Sequence, residues 1–348
     1  MGQFSSMSRR PFAVIPFLLL AAASHAPAQI TSTAAIRRLS PDTAAAAPAA
    51  KLRGVITFNA QWNGDANTAL QDASGGIYVN LGDAMPAGLQ LGDEVEITGT
   101  AAQGGYVPLM NASEVRVLGR GTLPAPERAD LPQLSSGRLD SQWVAVEGIV
   151  RDVQHDGDVT PPSTILTLAL PGGRAEVFMA LLPEADFQPL IDARVEVRAV
   201  CFQYFNARRQ SFQFRLMACA ASQITVLTPP PSPPFALPVT PLHSLLQFDP
   251  QGPSPHRLRV QGRVSLHWPG QFFFLQDGSD GVLVRSRQTD PLRAGDQVDV
   301  AAFAVMGPYA GALEDAVYQK LPAAQNPPAP PPRCPCLRSS TAAWMRVS

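Results

Sequence analysis

From Leu52 to Leu321 apolar and polar positions alternate in short runs of five to eight, as at Val95 and Ile97 or at Val298 and Val300. A period of two belongs to half-buried β-strands, whose successive side chains face opposite sides of a sheet. Four such blocks occur in order in one section: LRGVITF from Leu52, LQDASGGIYV from Leu70, LQLGDEVEITGT from Leu89 and ASEVRVLG from Ala112. They return as RVQGRVSL from Arg259, FFFLQDGSDGVLV from Phe272, LRAGDQVDVAAF from Leu292 and EDAVYQKL from Glu314. Order and spacing are kept, so the two sections are copies of one unit. A middle section is the divergent copy, with VAVEGIVRDV, TILTLAL, RAEVFMAL, IDARVEVRAVCF and ASQITVL as its strands.

Each unit therefore predicts five strands. Gly54, Gly148 and Gly262 interrupt the first strand and predict a bulge or sharp coil there. A bent first strand and a longer connection between the third and fourth fit a small five-stranded Greek-key barrel of the OB-fold type. The expected fold is all-β: three tandem OB-like barrels joined by Pro-rich linkers, at 52–123, 137–228 and 237–323.

The flanks read differently. Arg9 and Arg10 precede an apolar run from Phe12 to Ala23, and Ala26-Pro27-Ala28 follows, which predicts an export signal over 1–28. Residues 29–51 read as a flexible Ala/Pro-rich leader, and 324–348 as a Pro-rich disordered tail. No apolar run after residue 30 approaches the ~20 residues of a membrane helix. Localisation is thus expected to be periplasmic or secreted.

Composition narrows the partners. The formal net charge of the 348-residue chain is −1, which removes the long-range basic field that gathers nucleic acid. Residues 52–121 hold three arginines against seven acids, whereas 256–323 balance seven basic residues with seven acids. Cys201 and Cys219 either bridge neighbouring strands or are two small buried residues.

Candidate chemistry lies in loops. Asp72 and Asp277 of the repeated segment are read as hairpin residues accepting local N–H groups rather than as cation ligands. Gly92-Asp93 and Gly295-Asp296 read as tight turns. Trp143 reads as a buried ring. Trp62 and Trp268 are placed in the connection between strands one and two, and Tyr106 and Tyr309 in the connection before the last strand. Rings on these connections either meet a sugar or flat ligand at the binding face of an OB barrel or cover the barrel ends. Tyr204, Arg208 and Arg209, in the cluster YFNARRQ, either form an exposed hairpin with both arginines in water or are the polar group that stacks on a flat ligand or holds an anion. No catalytic, cofactor or metal-binding pattern is present, since the five histidines make no ligand spacing.

Several pieces together resemble the periplasmic sensor regions of bacterial sensor histidine kinases: LQDASGGIYV, GYVPLMNASEVRVLG, DSQWVAVEGIV, FNARRQ, FALPVTPLHSLLQF and FFFLQDGSDGVLV. The resemblance implies an extracytoplasmic sensing or binding module for a small ligand or a periplasmic protein. The kinase parts of that family are not in this sequence. The alternative is an exported OB-fold protein binding single-stranded nucleic acid or oligosaccharide.

Overall fold

In a computed structural model, residues 29–62, 65–156, 162–179, 186–245, 247, 254–306 and 311–322 are described. The expected export signal and tail lie outside them. Two short helices, α1 (Thr33–Arg37) and α2 (Pro41–Ala45), open the chain. Five strands follow: β1 (Ala49–Trp62), β2 (Asp65–Asp72), β3 (Gly75–Asn80), β4 (Asp93–Ala102) and β5 (Leu109–Arg120). They close in the order β1-β2-β3-β5-β4, with β3 and β5 parallel. That is the OB topology. The long β1 serves two neighbours, pairing β4 through its first half and β2 through its second.

The central unit starts with β6 (Glu127–Arg128) and α3 (Leu131–Ser135). It continues through β7 (Gln142–Asp156), β8 (Ser163–Leu170), β9 (Gly173–Met179), β10 (Arg194–Phe205), β11 (Ser211–Ala218) and β12 (Ile224–Thr228). Its sheet of seven strands is closed by an additional β10–β7 pairing. The third unit, β13 (Leu258–Trp268), β14 (Phe272–Asp277), β15 (Asp280–Arg285), β16 (Gln297–Met306) and β17 (Gly311–Lys320), is again a closed barrel with the order of the first. The chain is an all-β array of OB-like barrels.

The glycines of the first strands have a common cause. A Cβ on Gly54, Gly148 or Gly262 would lie 2.5, 2.8 or 2.6 Å from the carbonyl oxygen of Gln71, Ala169 or Gln276 in the second strand. The expected bulges come slightly later, between Ile56 and Phe58, Val150 and Asp152, and Val264 and Leu266. They turn the second half of each first strand outward.

Three expectations are corrected. Residues 29–51 are not a flexible leader: Ile36 of α1 is fully buried in the first core, and Ile30 pairs with Ala50 in parallel. Short helices do not show a 3.6-residue period, so an Ala/Pro-rich composition hides them. Divergence in the central unit is a broken fifth strand. The parallel partner of β9 is β11, whereas the expected strand ASQITVL begins as a 3-10 turn at Ala221–Gln223 and only its second half enters the extra strand β12 on β10. Trp62 and Trp268 are the last residues of β1 and β13 and do not lie in the connection after them.

Candidate functional site: the cleft between the first two barrels

The first barrel and the central unit share an apolar seam. Phe58, Ala60 and Ala69 pack against Trp143, Phe178, Val200 and Met217 in one buried cluster. Trp143 is buried as its sequence setting suggested, at 2% exposure. Next to it the main chain is stitched across the seam. The Gln142 carboxamide accepts from Gly76 N (2.9 Å) and donates to Gly76 O (3.1 Å), while Trp143 N donates to Gln71 Oε1 (3.0 Å). A Cβ on Gly76 would come within 2.0 Å of the Ser141 carbonyl oxygen, so only glycine allows this approach. The repeated segment LQDASGGIYV is thus a docking edge in its first copy. Its Asp72 accepts from Ser74 N (2.7 Å) and from Thr33 N (2.8 Å), tying the hairpin to α1.

Beside the seam a cleft of about 480 Å³ opens between the two units. The first barrel supplies Asn67, Tyr78 and the β4–β5 connection with Tyr106. The central unit supplies Phe202, Tyr204 and Phe205 from the end of β10. Tyr78 and Phe202 meet edge to face at 5.9 Å, and the Tyr78 hydroxyl donates to Asn67 Oδ1 at 3.4 Å. The guanidinium of Arg215 lies 3.4 Å from the Phe178 ring centroid and 4.7 Å from that of Tyr204. Burial raises the Tyr204 phenol above the usual range. At the cleft mouth the Phe205 ring occupies the space that a side chain on Gly105 would need, and the Tyr106 hydroxyl abuts Gly137.

The arginine pair divides in two. Asn206 Oδ1 accepts from Arg208 N (2.9 Å) and Gln210 N (3.1 Å), closing the β10–β11 turn. This turn leaves Arg208 exposed and gives Arg209 a φ of 63°. Arg209 Nη2 donates to the carbonyls of Gln103 (3.1 Å) and Tyr106 (3.3 Å). Arg209 therefore holds the Tyr106 loop of the first barrel in place. At the floor, Asp140 Oδ1 accepts from Gln203 N (3.0 Å), and its Oδ2 accepts from Ser141 Oγ (3.0 Å) with Arg37 Nη1 at 3.6 Å. Burial pushes the Asp140 carboxyl above the ordinary carboxylate range, against the lowering by these donors.

Of the seven residues singled out in the sequence, Tyr106 and Tyr204 line the cleft, Arg209 braces it and Arg208 stands outside it. Trp268 lies on the third barrel, 57% exposed. The Trp62 side chain and Tyr309 lie outside the described residues. Sequence reasoning missed Tyr78, Phe202 and Asp140. Tyr78 carried a faint signal, since the corresponding outward position of the third copy is Leu283. Cys201 and Cys219 are free thiols, and burial pushes the Cys201 thiol up to about 12. Among the described residues no cluster of three or more His, Cys, Asp or Glu is placed to hold a metal, and no helix is long and apolar enough to cross a membrane.

No family model matches this chain, and no curated protein matches it in sequence. Similar solved structures include a murine DNA-binding protein bound with double-stranded DNA, at 10% identity and a TM-score of 0.27 over 52% of this chain and 98% of that one. The Ifi202 HINa domain in complex with a 20-bp double-stranded DNA gives 6% identity and a TM-score of 0.27 over 52% and 96%. The tetrameric p202 HIN2 gives 7% and 0.23 over 57% and 99%. Scores this low carry no inference about function.

Proposed function

We propose that this chain is a non-enzymatic, extracytoplasmic binding module of OB-like barrels, of the kind its sequence resembles in sensor histidine kinases. Its ligand is a neutral, ring-bearing molecule of the saccharide class, held in the cleft between the first two barrels. The observation that carries this reading is the convergence of Tyr78, Tyr106, Phe202, Tyr204 and Phe205 around one cavity from both units. Such rings offer flat apolar faces, and the Asn67 carboxamide and tyrosine hydroxyls offer a few polar contacts, the usual balance of a small-molecule site.

Electrostatics favour a neutral ligand over nucleic acid. The Arg209 guanidinium is committed to two main-chain carbonyls, and no lysine or arginine is among the described residues that line the cleft. The test is a thermal-shift panel of neutral oligosaccharides with single-stranded oligonucleotides alongside, followed by calorimetry on any hit. A saccharide is expected to raise Tm, and Tyr106→Ala or Tyr204→Ala to weaken its binding at least about tenfold, roughly 1.4 kcal/mol. A panel in which only oligonucleotides shift Tm, with an effect that fades as salt rises, would sink the saccharide reading.

A further inference from the structure

The third barrel carries an apolar face that its copies explain. Past the bulge in the first barrel, Phe58, Ala69 and Tyr78 lie opposite one another across β1, β2 and β3 and point outward. Phe58 and Ala69 are fully buried there, because Trp143 and Val200 of the next unit sit on them. At the same register in the third barrel stand Leu266, Phe274 and Leu283 across β13, β14 and β15. The next rung is Trp268, Phe272 and Arg285.

Among the described residues this face is open. Leu266 is 52% exposed, Phe274 40% and Trp268 57%, and Phe272 meets Phe274 edge to face at 5.9 Å. A contiguous apolar patch of this kind on a strand face marks an interaction surface. In the central unit the equivalent rung is Asp152, Thr167 and Glu176, which is polar, and its Asp152 binds Arg287 of the third barrel. The same face therefore receives the following unit twice along the chain, and among the described residues is left uncovered once.

We infer that the outer β13-β14-β15 face of the third barrel pairs with its counterpart on a second copy of this chain, about a two-fold axis. Continuing the array head to tail does not fit. The central unit docks through Trp143 and Val200, paired across β7 and β10, and the third barrel through Arg257 and Phe303 at the equivalent place. In the first barrel that place holds Ala49 and Thr100, which offer no large apolar group. Face-to-face pairing instead sets the apolar rung on itself, which an isologous contact requires. A net charge of −1 on the chain supplies little repulsion against it.

The inference is independent of the cleft ligand. It is tested by sedimentation equilibrium of the chain at concentrations up to about 100 µM. A dimer is expected, with dissociation raised at least about tenfold by Phe274→Arg and by Trp268→Gln, both at solvent-exposed positions, with unchanged Tm of the monomer. A monomer at the highest concentration overturns the inference, as does a dimer indifferent to both substitutions. So does a chain that dimerises only when shortened after residue 322, which would make its own C-terminal segment the cover of the face.

Discussion

Gly76 is where one absent side chain decides how two barrels meet. Its N–H and carbonyl are taken by the Gln142 carboxamide, and the Ser141 carbonyl fills the place of its Cβ. Gly281 holds the same register in the third barrel, but there a Cβ would find nothing nearer than 3.8 Å. Gly76→Ala is thus expected to cost about 1–3 kcal/mol, in the range of overpacking, and Gly281→Ala to stay within about 0.5 kcal/mol. Urea unfolding of the two variants followed by circular dichroism checks the contrast; equal losses would refute it. Both glycines read alike in the sequence, as turn residues of a repeated hairpin. What separates them is a neighbour about seventy residues away in one case and solvent in the other. The Gly92-Asp93 and Gly295-Asp296 turns, by contrast, were legible: Asp93 Oδ2 accepts from Gln90 N and Asp296 Oδ2 from Arg293 N, both at 2.8 Å, a local pattern that the residue types dictate.

At the scale of elements, each unit begins with the same device ahead of its first strand. A parallel contact leads into a short helix or 3-10 turn that seals one end of the barrel. The contacts are Ile30 with Ala50, β6 with β7, and Val239 with Arg259. The sealing side chains are Ile36, Leu134 and Leu242, each in the core of its own unit. Asp130 and Gln133 form a capping box on α3, and Ser32 and Ser40 cap α1 and α2. Ile36→Ala should therefore destabilise the first barrel by about 2–5 kcal/mol, as a core truncation does. Differential scanning calorimetry of that variant decides: a loss under about 0.5 kcal/mol would return residues 29–51 to the status of a loose leader. Five-residue helices are too short to form alone in water. They exist because the open end of a barrel offers an apolar socket, and a reading of local pattern does not see the socket.

In the whole molecule the two inter-barrel contacts are chemically unlike. The first is apolar, centred on Phe58 and Trp143. The second is charged: Arg151 reaches Asp315 at 3.2 Å, Arg174 pairs with Glu314, and Asp192 accepts from Arg257 N with His256 Nδ1 at 2.8 Å. Arg151 is buried, with its guanidinium 3.9 Å from the Phe303 ring centroid, and burial lowers its pKa from the ordinary arginine value and raises that of Asp315. Exposed members such as Arg287 and Arg174 are open to screening, because the Debye length falls from about 10 Å at 0.1 M to about 3 Å at 1 M salt. Hydrogen exchange should therefore quicken with salt at β17 and at the Arg151–Asp152 end of β7, and stay unchanged at β3 and at the Gln142–Trp143 end of β7. An equal response at both contacts would be inconsistent with this division.

Alternation and the repeated blocks determined that this chain is all-β, that its units repeat and that the first and third are five-stranded barrels, because strand period and turn chemistry are local properties written in adjacent residues. The pattern also pointed to the β4–β5 connection, where Tyr106 lies, and to the β10–β11 turn, beside which Tyr204 sits at the end of β10. Tertiary structure decided the rest. It turned Arg209 from a candidate ligand arm into a brace, placed the candidate cleft at the seam between two barrels and, among the described residues, left the same face buried in one copy and exposed in another. Each of these depends on which unit sits against which, and that is set by shape and charge across surfaces far apart in the chain.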